Sequence, residues 1–485
     1  MSKKKTILLV YVILIYILYR GTVSLWRFAK PIYSQLPYLL GQDKPITYLF
    51  LLGNDTEMRA NGGFAGSYTK ITVETPDFDS LSFFNFEFFR EMKLDVSFHD
   101  IYVPNGQLGG HVTPPEPIQQ AFGKGTWELA NADWQPNFPT TATSIRWFLE
   151  KGKEANPDVL GIVNLSTIKK VLNIIGEFKI PENDKVITPD NLYLYLQGKA
   201  EVNFFPGSTQ KADALHSVGT SALKKINSLK LAKKIQIAKV LYQDLKNNNI
   251  VLNSTNPDFQ KFLEDQNYAG AYQADTYDYY GLVEMNLGAN KANQYVTRQT
   301  THVIARSETT KQSPTISHTI DIDLQNTSPE KNPNPPLHYG GHYIGFFRIY
   351  LPPTATNIQL THSEYLPCNA ANQSYCYSST SSANVNQAIL ENQTPKITTC
   401  DQISEICNSS SQKFTIVSFW HLTLAGQHSD IKLSYNLPNI DPKEYSLTLL
   451  KQNGLPVSPQ SLNIFGKTHQ TSLRKPLLFQ TKVLW

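Results

Sequence analysis

Charged and glycine residues gather in one short stretch, Asn54 to Ser67, where Asp55, Glu57 and Arg59 precede the pair Gly62-Gly63. A guanidinium pairs phosphate oxygens bidentately, so Arg59 could hold an anion; equally, it could pin this loop by pairing Glu57 or Asp55. The glycine pair suits a tight turn with positive φ, and no G-x-x-x-x-G-K-[ST] loop is present to cradle a nucleotide. Arg146 is a second guanidinium, with Trp147 and Phe148 beside it on a helix face, where a stacked or solvated arginine is the ordinary arrangement. Asp133 stands before Trp134 and Pro136, a setting that favours fixing a turn over acid–base work. His99 and His111 are near in sequence but lack a cysteine or acidic partner at ligand spacing, which argues against a metal there. Tyr272, Tyr277, Tyr279 and Tyr280 could stack on sugar rings or form a wet patch at a domain interface. No G-x-S-x-G motif or Ser/His/Asp set can be assembled, so a hydrolase is the poorest functional class.

The elements that must position these residues change character along the chain. Tyr48 to Leu52 is a buried-strand run, with Gly53-Asn54-Asp55 expected to turn, and Ser67 to Glu74 alternates as another strand. Helical spacing predicts Thr141 to Lys151, Ser166 to Ile175 with Gly176 as its stop, and a long helix from Lys211 to Lys246 broken near Asn227 to Lys230. Val159 to Asn164 reads as a strand, and Pro257-Asp258 opens a short helix, Phe259 to Gln266. Alternating strands and helices up to about residue 290 argue for an α/β domain. Beyond it Gln294 to Arg306, Thr315 to Leu324, Tyr343 to Leu351, Phe414 to Leu424 and Ile431 to Tyr435 alternate as half-buried strands, the grammar of a β-sandwich.

Lys3, Lys4 and Lys5 precede an apolar run from Ile7 to Tyr19, and Thr6 to Trp26 is long enough to cross a bilayer if Arg20 snorkels to the headgroups. The lysines are expected to stay cytoplasmic, with the body outside. Arg20, Trp26 and Arg27 stand where a cleaved signal peptide needs small residues, so an uncleaved anchor is preferred. Cys368, Cys376, Cys400 and Cys407 are the chain's four cysteines; an exported location predicts two disulfides, in any of three pairings. A net charge of +4 over 485 residues, with no long basic face, excludes nucleic acid as a partner.

Three stretches resemble the domain of unknown function 4012 family: Asn54-Asp-Thr-Glu-Met-Arg-Ala-Asn-Gly-Gly-Phe-Ala-Gly-Ser67, Asn131-Ala-Asp-Trp-Gln-Pro-Asn-Phe-Pro-Thr140, and Val283-Glu-Met-Asn-Leu-Gly-Ala-Asn-Lys291 with Tyr295 and Arg298 after it. In the second, Asp133 stands where the family has Asn, and Asn137 where it has Asp. The resemblance implies a bacterial, membrane-anchored protein with no assigned activity. Tyr48 to Asp55 and Pro157 to Gly176 are more distantly similar to LytR–CpsA–Psr domains, which transfer glycopolymers from polyprenyl pyrophosphate lipids to the cell wall. That similarity implies Asp55 as a Mg2+ ligand, with Arg59, Arg146 and Lys211 facing a pyrophosphate. The pattern departs at two places: Ser67 and Tyr68 occupy the position of the second aspartate, and Gln210-Lys211 that of a paired arginine.

The expected architecture is a cytoplasmic tip and transmembrane anchor over 1–30, a spacer over 31–44, and a LytR–CpsA–Psr-like mixed α/β domain over 45–292. A C-terminal β-sandwich over 293–440 carries a cysteine-containing insertion at 366–412, and an extension runs over 441–485. The expected function is that of a single-pass protein of the bacterial cell membrane that binds or transfers a polyprenyl-phosphate-linked glycan or cell-wall polymer. The ligand-binding candidates are Arg146, Lys211, Gly62 and Gly63, with Asp55 and Arg59 as the catalytic ones; the alternative is a non-catalytic cell-surface scaffold or adhesion protein with a degenerate site, favoured by the missing second aspartate and arginine pair.

Overall fold

The computed structural model describes residues 34–75, 92–123, 125–181, 184–202, 209–307, 314–329, 340–363, 389, 392–399 and 413–480. The expected anchor over 1–30 and all four cysteines lie outside these residues. Among the described residues no helix is long and apolar enough to cross a membrane. The chain falls into two compact units, one drawn from Met1–Tyr48, Lys70–Val96 and Pro157–Val159, the other from Leu49–Thr69, Ser97–Asn156 and Leu160–Trp485.

In the smaller unit Ile46 and Val73 are buried, the Thr47 N–H donates to Asp158 (2.9 Å), and Thr75 donates through Oγ1 to the Leu40 carbonyl (2.6 Å). Five strands hydrogen-bond in the order β3-β2-β1-β4-β7: β1 (Ile46–Arg59), β2 (Gly62–Glu74), β3 (Lys93–Asp100), β4 (Val159–Asn164) and β7 (Ile250–Ser254). Two short strands, β5 (Phe178–Lys179) and β6 (Val186–Ile187), make a separate ribbon. Helices α1 (Glu116–Phe122), α2 (Phe138–Lys151), α3 (Leu165–Ile175), α4 (Leu192–Glu201), α5 (Gln210–Asn227), α6 (Leu231–Lys246) and α7 (Pro257–Asp265) complete the α/β part. The expected helices are present. The long one is divided at Ser228–Lys230, where Lys230 adopts extended dihedrals and lets α6 start afresh. Gly176, at φ +76°, ends α3 where most side chains would be strained.

One local expectation fails. Gly53-Asn54-Asp55 does not turn, because β1 runs through it to Arg59, and the chain reverses at Ala60-Asn61. Gly62 and Gly63 therefore open β2 and serve close packing. A Cβ on Gly63 would stand 1.9 Å from the Asn54 carbonyl carbon, and one on Gly62 would stand 2.7 Å from Asn164 Oδ1.

The β-rich part is a sandwich of two six-stranded sheets. One runs β12-β15-β10-β9-β17-β18, from β9 (Val296–Ser307), β10 (Thr315–Asn326), β12 (Thr356–His362), β15 (His428–Pro438), β17 (Ser458–Ile464) and β18 (Lys467–Leu473). The other runs β13-β14-β11-β8-β16-β19, from β8 (Asp278–Asn286), β11 (Tyr343–Leu351), β13 (Lys396–Thr399), β14 (Thr415–Thr423), β16 (Ser446–Leu450) and β19 (Leu477–Gln480). Ile320, Ile322, Leu433 and Leu462 of the first pack against Phe347, Ile349, Phe419 and Leu447 of the second.

Two drawn boundaries move. β8 lies before residue 293 yet sits inside the second sheet, paired with β11 and, in parallel, with β16. Of the extension drawn over 441–485, residues 441–480 supply β16 to β19, two strands to each sheet, and so are part of the sandwich. Both were hard to read because β8 is buried on both faces and so shows no two-residue alternation, while β16 and β19 are only five and four residues long.

Candidate functional site

The three motif stretches meet around the β1–β2 hairpin. Arg59, at the end of β1, is 1% exposed, and its guanidinium donates to the carbonyls of Asn286 (2.6 Å) and Met58 (3.1 Å). It pairs the Glu57 carboxylate at 3.0 Å, contacts Asn131 Oδ1 at 3.4 Å, and lies 4.9 Å from the Phe64 ring centroid. Lys291, from the third motif, closes on the other Glu57 oxygen. Burial alone would raise the Glu57 carboxyl, but Lys291 and Arg59 together hold it below its ordinary value.

One residue beyond the turn, Asn61 ties the first motif to the second. Its backbone N–H and side-chain amide both donate to Asp133, at 3.0 Å and 2.7 Å. Burial pushes the Asp133 carboxyl up to about 6, against the pull of these hydrogen bonds and of Arg59 and Arg348. The third motif is braced internally, since Asn286 Nδ2 donates to Asn293 Oδ1 (2.9 Å), which also accepts the Met58 N–H (3.0 Å).

A fourth segment completes the junction, and sequence reasoning missed it. After β16 the loop Lys451-Gln452-Asn453-Gly454 folds into the hairpin. Gln452 Nε2 donates to the carbonyls of Arg59 and Glu284, both at 2.8 Å, and its Oε1 accepts the Glu284 N–H (2.9 Å). Asn453 Nδ2 donates to Asn61 Oδ1 (2.7 Å) and the Gly270 carbonyl (2.9 Å). These polar side chains, fully buried in a strand-end loop, were the available signal, but nothing in their spacing names a partner nearly 400 residues away.

Asp55 is engaged within the fold. It accepts the Ser166 backbone N–H (3.3 Å) at the start of α3, where exposed amides and the helix dipole favour a carboxylate. Burial raises its carboxyl above the usual range, while Ser166 and Lys169 pull it back. Ser67 and Tyr68, at the position of the second aspartate, are buried. Among the described residues no group of three His, Cys, Asp or Glu is gathered that could hold a metal ion by itself.

The other sequence candidates lie apart or are already engaged. Arg146 bonds Asn253 on β7, through its side-chain oxygen and its carbonyl, both at 3.3 Å. Lys211, at the start of α5, donates to the Gly66 carbonyl on β2 (2.5 Å) and lies 3.4 Å from Asp100 and 5.4 Å from the Tyr102 ring centroid. Burial of the Tyr102 hydroxyl, then the Glu57, Asp100 and Glu128 carboxylates, push it up to about 12, with Arg59 opposing. The residue as a whole is 47% exposed, so Tyr102, with the partly exposed Lys211 and Asp100 at its side, is the part of the cluster that solvent reaches. His99 bonds Ser97 and stacks on Tyr68, whereas His111 bonds Thr126, so the two histidines are not brought together. Tyr272, Tyr279 and Tyr280 are buried in the sandwich, which removes them as a sugar platform; Tyr277 alone of the four is exposed.

The chain is similar to several solved structures. They include the Lin1025 protein of Listeria innocua (12% identity, TM-score 0.25, covering 47% of this chain and 79% of that one) and TagV of Bacillus subtilis (16%, TM-score 0.24, 47% and 81%). A transcriptional regulator of Enterococcus faecalis is similar at 11% identity and TM-score 0.25, covering 49% and 78%. No match is found among curated proteins. Residues 43–200, which hold the hairpin, the Asp133 turn and α3, match the family described as "Protein of unknown function (DUF4012)".

Proposed function

We propose that this protein binds a glycan- or phosphate-bearing component of the cell envelope and does not turn it over. The observation that carries this reading is that Asp55 and Arg59, the two residues from which catalysis would be built, are spent on structure. Asp55 serves the first turn of α3, and Arg59 is sealed in the junction with every sequence-adjacent charge paired. Phosphoryl and glycosyl transfer from a pyrophosphate need positive charge free to concentrate on a developing anion. Lys211 and Tyr102 are the members of the cluster that a ligand from solvent can meet, so the binding surface is centred on them. The Lys3–Lys5 cluster and the apolar run after it support an envelope location, and the resemblance of 157–176 to LytR–CpsA–Psr domains supports a polyprenyl-linked glycan as the ligand class.

The second reading, Mg2+-dependent transfer, draws on the same cluster, because the charges of Glu57, Asp100 and Arg59 all act on the Tyr102 hydroxyl. Native mass spectrometry of the full chain in detergent with a polyprenyl phosphate separates the two. Binding that needs no Mg2+, survives Asp55→Ala and falls at least severalfold in Lys211→Ala supports the proposal. Mg2+-dependent transfer that Asp55→Ala abolishes overturns it in favour of catalysis. Absence of binding leaves the scaffold alternative.

A further inference from the structure

Arg348 lies in the middle of β11, and its side chain is fully buried. A guanidinium stays charged at any pH a protein tolerates, and a buried charge normally has a carboxylate beside it. Among the described residues Arg348 has none within ion-pairing distance. One terminal nitrogen donates to the Trp134 carbonyl (2.6 Å) and approaches the Met285 sulfur (3.4 Å), and the group sits 4.5 Å from the Trp134 ring centroid. Its Nε and Nη1 are sealed from solvent and bond nothing.

Two phenols share this neighbourhood. The rings of Tyr272 and Tyr350 meet edge to face, 5.1 Å apart between centroids, and both hydroxyls are buried and unpartnered. The Arg348 charge acts on both hydroxyls, and burial keeps both protonated, so each remains a donor. Val283, Met285, Phe346, Phe414 and Trp420 belong to the same hydrophobic cluster as the two tyrosines. Arg348 and the two tyrosines thus bring unused donors into one apolar region, where no carboxylate pairs the guanidinium among the described residues. Asp133 is the near carboxylate, but it is bonded to Asn61, and the neighbouring Arg59, Lys291 and Glu57 add a further net positive charge.

We propose that Arg348, Tyr272 and Tyr350 hold a small monovalent anion of the halide class inside the protein. A water would accept from the arginine, yet it could pass its own hydrogens only to the phenol oxygens and would leave the charge unbalanced. A halide accepts from every donor and neutralises the guanidinium.

The test uses the full chain exchanged into gluconate and titrated with chloride or bromide at constant ionic strength. The expected result is a saturable rise of the unfolding midpoint by a few degrees, because an ion bound only by the folded state stabilises it by mass action. In crystals grown from bromide, an anomalous peak should lie within hydrogen-bond distance of Arg348 Nε and the two phenols. Tyr350→Phe removes one donor while keeping the ring, and should raise the half-saturating bromide concentration severalfold. Arg348→Met should abolish the response; if that variant fails to fold, the Tyr350→Phe titration and the bromide map decide. A midpoint indifferent to halide, with waters and no bromide at the site, overturns the proposal.

Discussion

At the residue scale the junction is governed by the difference between making a buried ion pair and breaking one. Glu57 is shared by Arg59 and Lys291, all three sealed from water. Replacing Glu57 with Gln would leave two buried cations without their carboxylate, a loss on the order of 3–5 kcal/mol. Urea unfolding is expected to show that loss, and a change under about 1 kcal/mol would mean the pair is not the pin described here. Asp55 allows a sharper discrimination. As a helix-end acceptor its replacement by Ala should cost about 0.5–2 kcal/mol and leave ligand binding intact, whereas a metal ligand would show the reverse. That Arg59 pins the hairpin was one of the two roles its neighbours in sequence allowed. Only the coordinates select Glu57 over Asp55 as its partner: alternation places all three on one face of β1, but Glu57 is the nearer to Arg59, and Asp55 is bonded to the start of α3.

At the element scale the β1–β2 hairpin is held from outside by Asn164, whose Oδ1 accepts the Gly63 N–H (2.9 Å), and by the Gln452-Asn453 loop. Gln452→Ala would strip three bonds from buried backbone groups of β1 and β8, and should cost about 1–3 kcal/mol for the stranded groups. Gly63→Ala should be worse, since a methyl cannot fit where it would overlap the Asn54 backbone. Thermal unfolding of the two variants would rank them, and a Gly63→Ala protein as stable as the parent would refute the close-packing role. The amphipathic helices and alternating strands were legible because one face of each is solvated. Tyr343 to Leu351 and Phe414 to Leu424 were expected as half-buried strands, but β11 and β14 are buried along their whole length, and β8, buried likewise, shows no two-residue alternation.

At the scale of the whole molecule the sandwich is tied to its last residues. A chain ending at 440 would lose β16 and β17, which pair with β8 and β9, and uncover Leu449, Leu462 and their neighbours. It should fail to yield folded protein, as judged by circular dichroism and protease resistance, whereas removing a mere extension would change neither. Acid should also loosen the fold. Burial depresses His302 and His342 to about 4, and burial followed by His362 depresses His421 to about 3. Their contribution is complete above the unfolded value near 6.5 and is lost as pH falls toward the folded values, about 2 kcal/mol each at pH 5. Asp133 acts in the opposite sense. Its raised carboxyl favours the folded state most below its ordinary 3.8, so acidification from pH 7 to 5 returns about 1 kcal/mol. The histidines outweigh it, and urea midpoints should fall between pH 7.5 and 5; a midpoint unchanged or higher at pH 5 would contradict this balance.

The order of elements, the α/β-then-sandwich plan and the three motif stretches followed from the sequence by itself. Periodicity and turn chemistry are local, and each can be judged within a dozen residues. What the motifs are for was decided by tertiary structure. The pairing of Glu57 with Lys291, of Asn61 with Asp133 and of Arg59 with Gln452 joins residues 72 to 393 apart, and no local rule specifies such partners. The same applies to Arg348: a lone arginine in an apolar strand looks like an ordinary interruption until, among the described residues, no carboxylate pairs it and two phenols of the same cluster stand without partners. Burial turns these polar residues from surface chemistry into structural commitments, because in the interior every donor and charge must be answered by a specific neighbour.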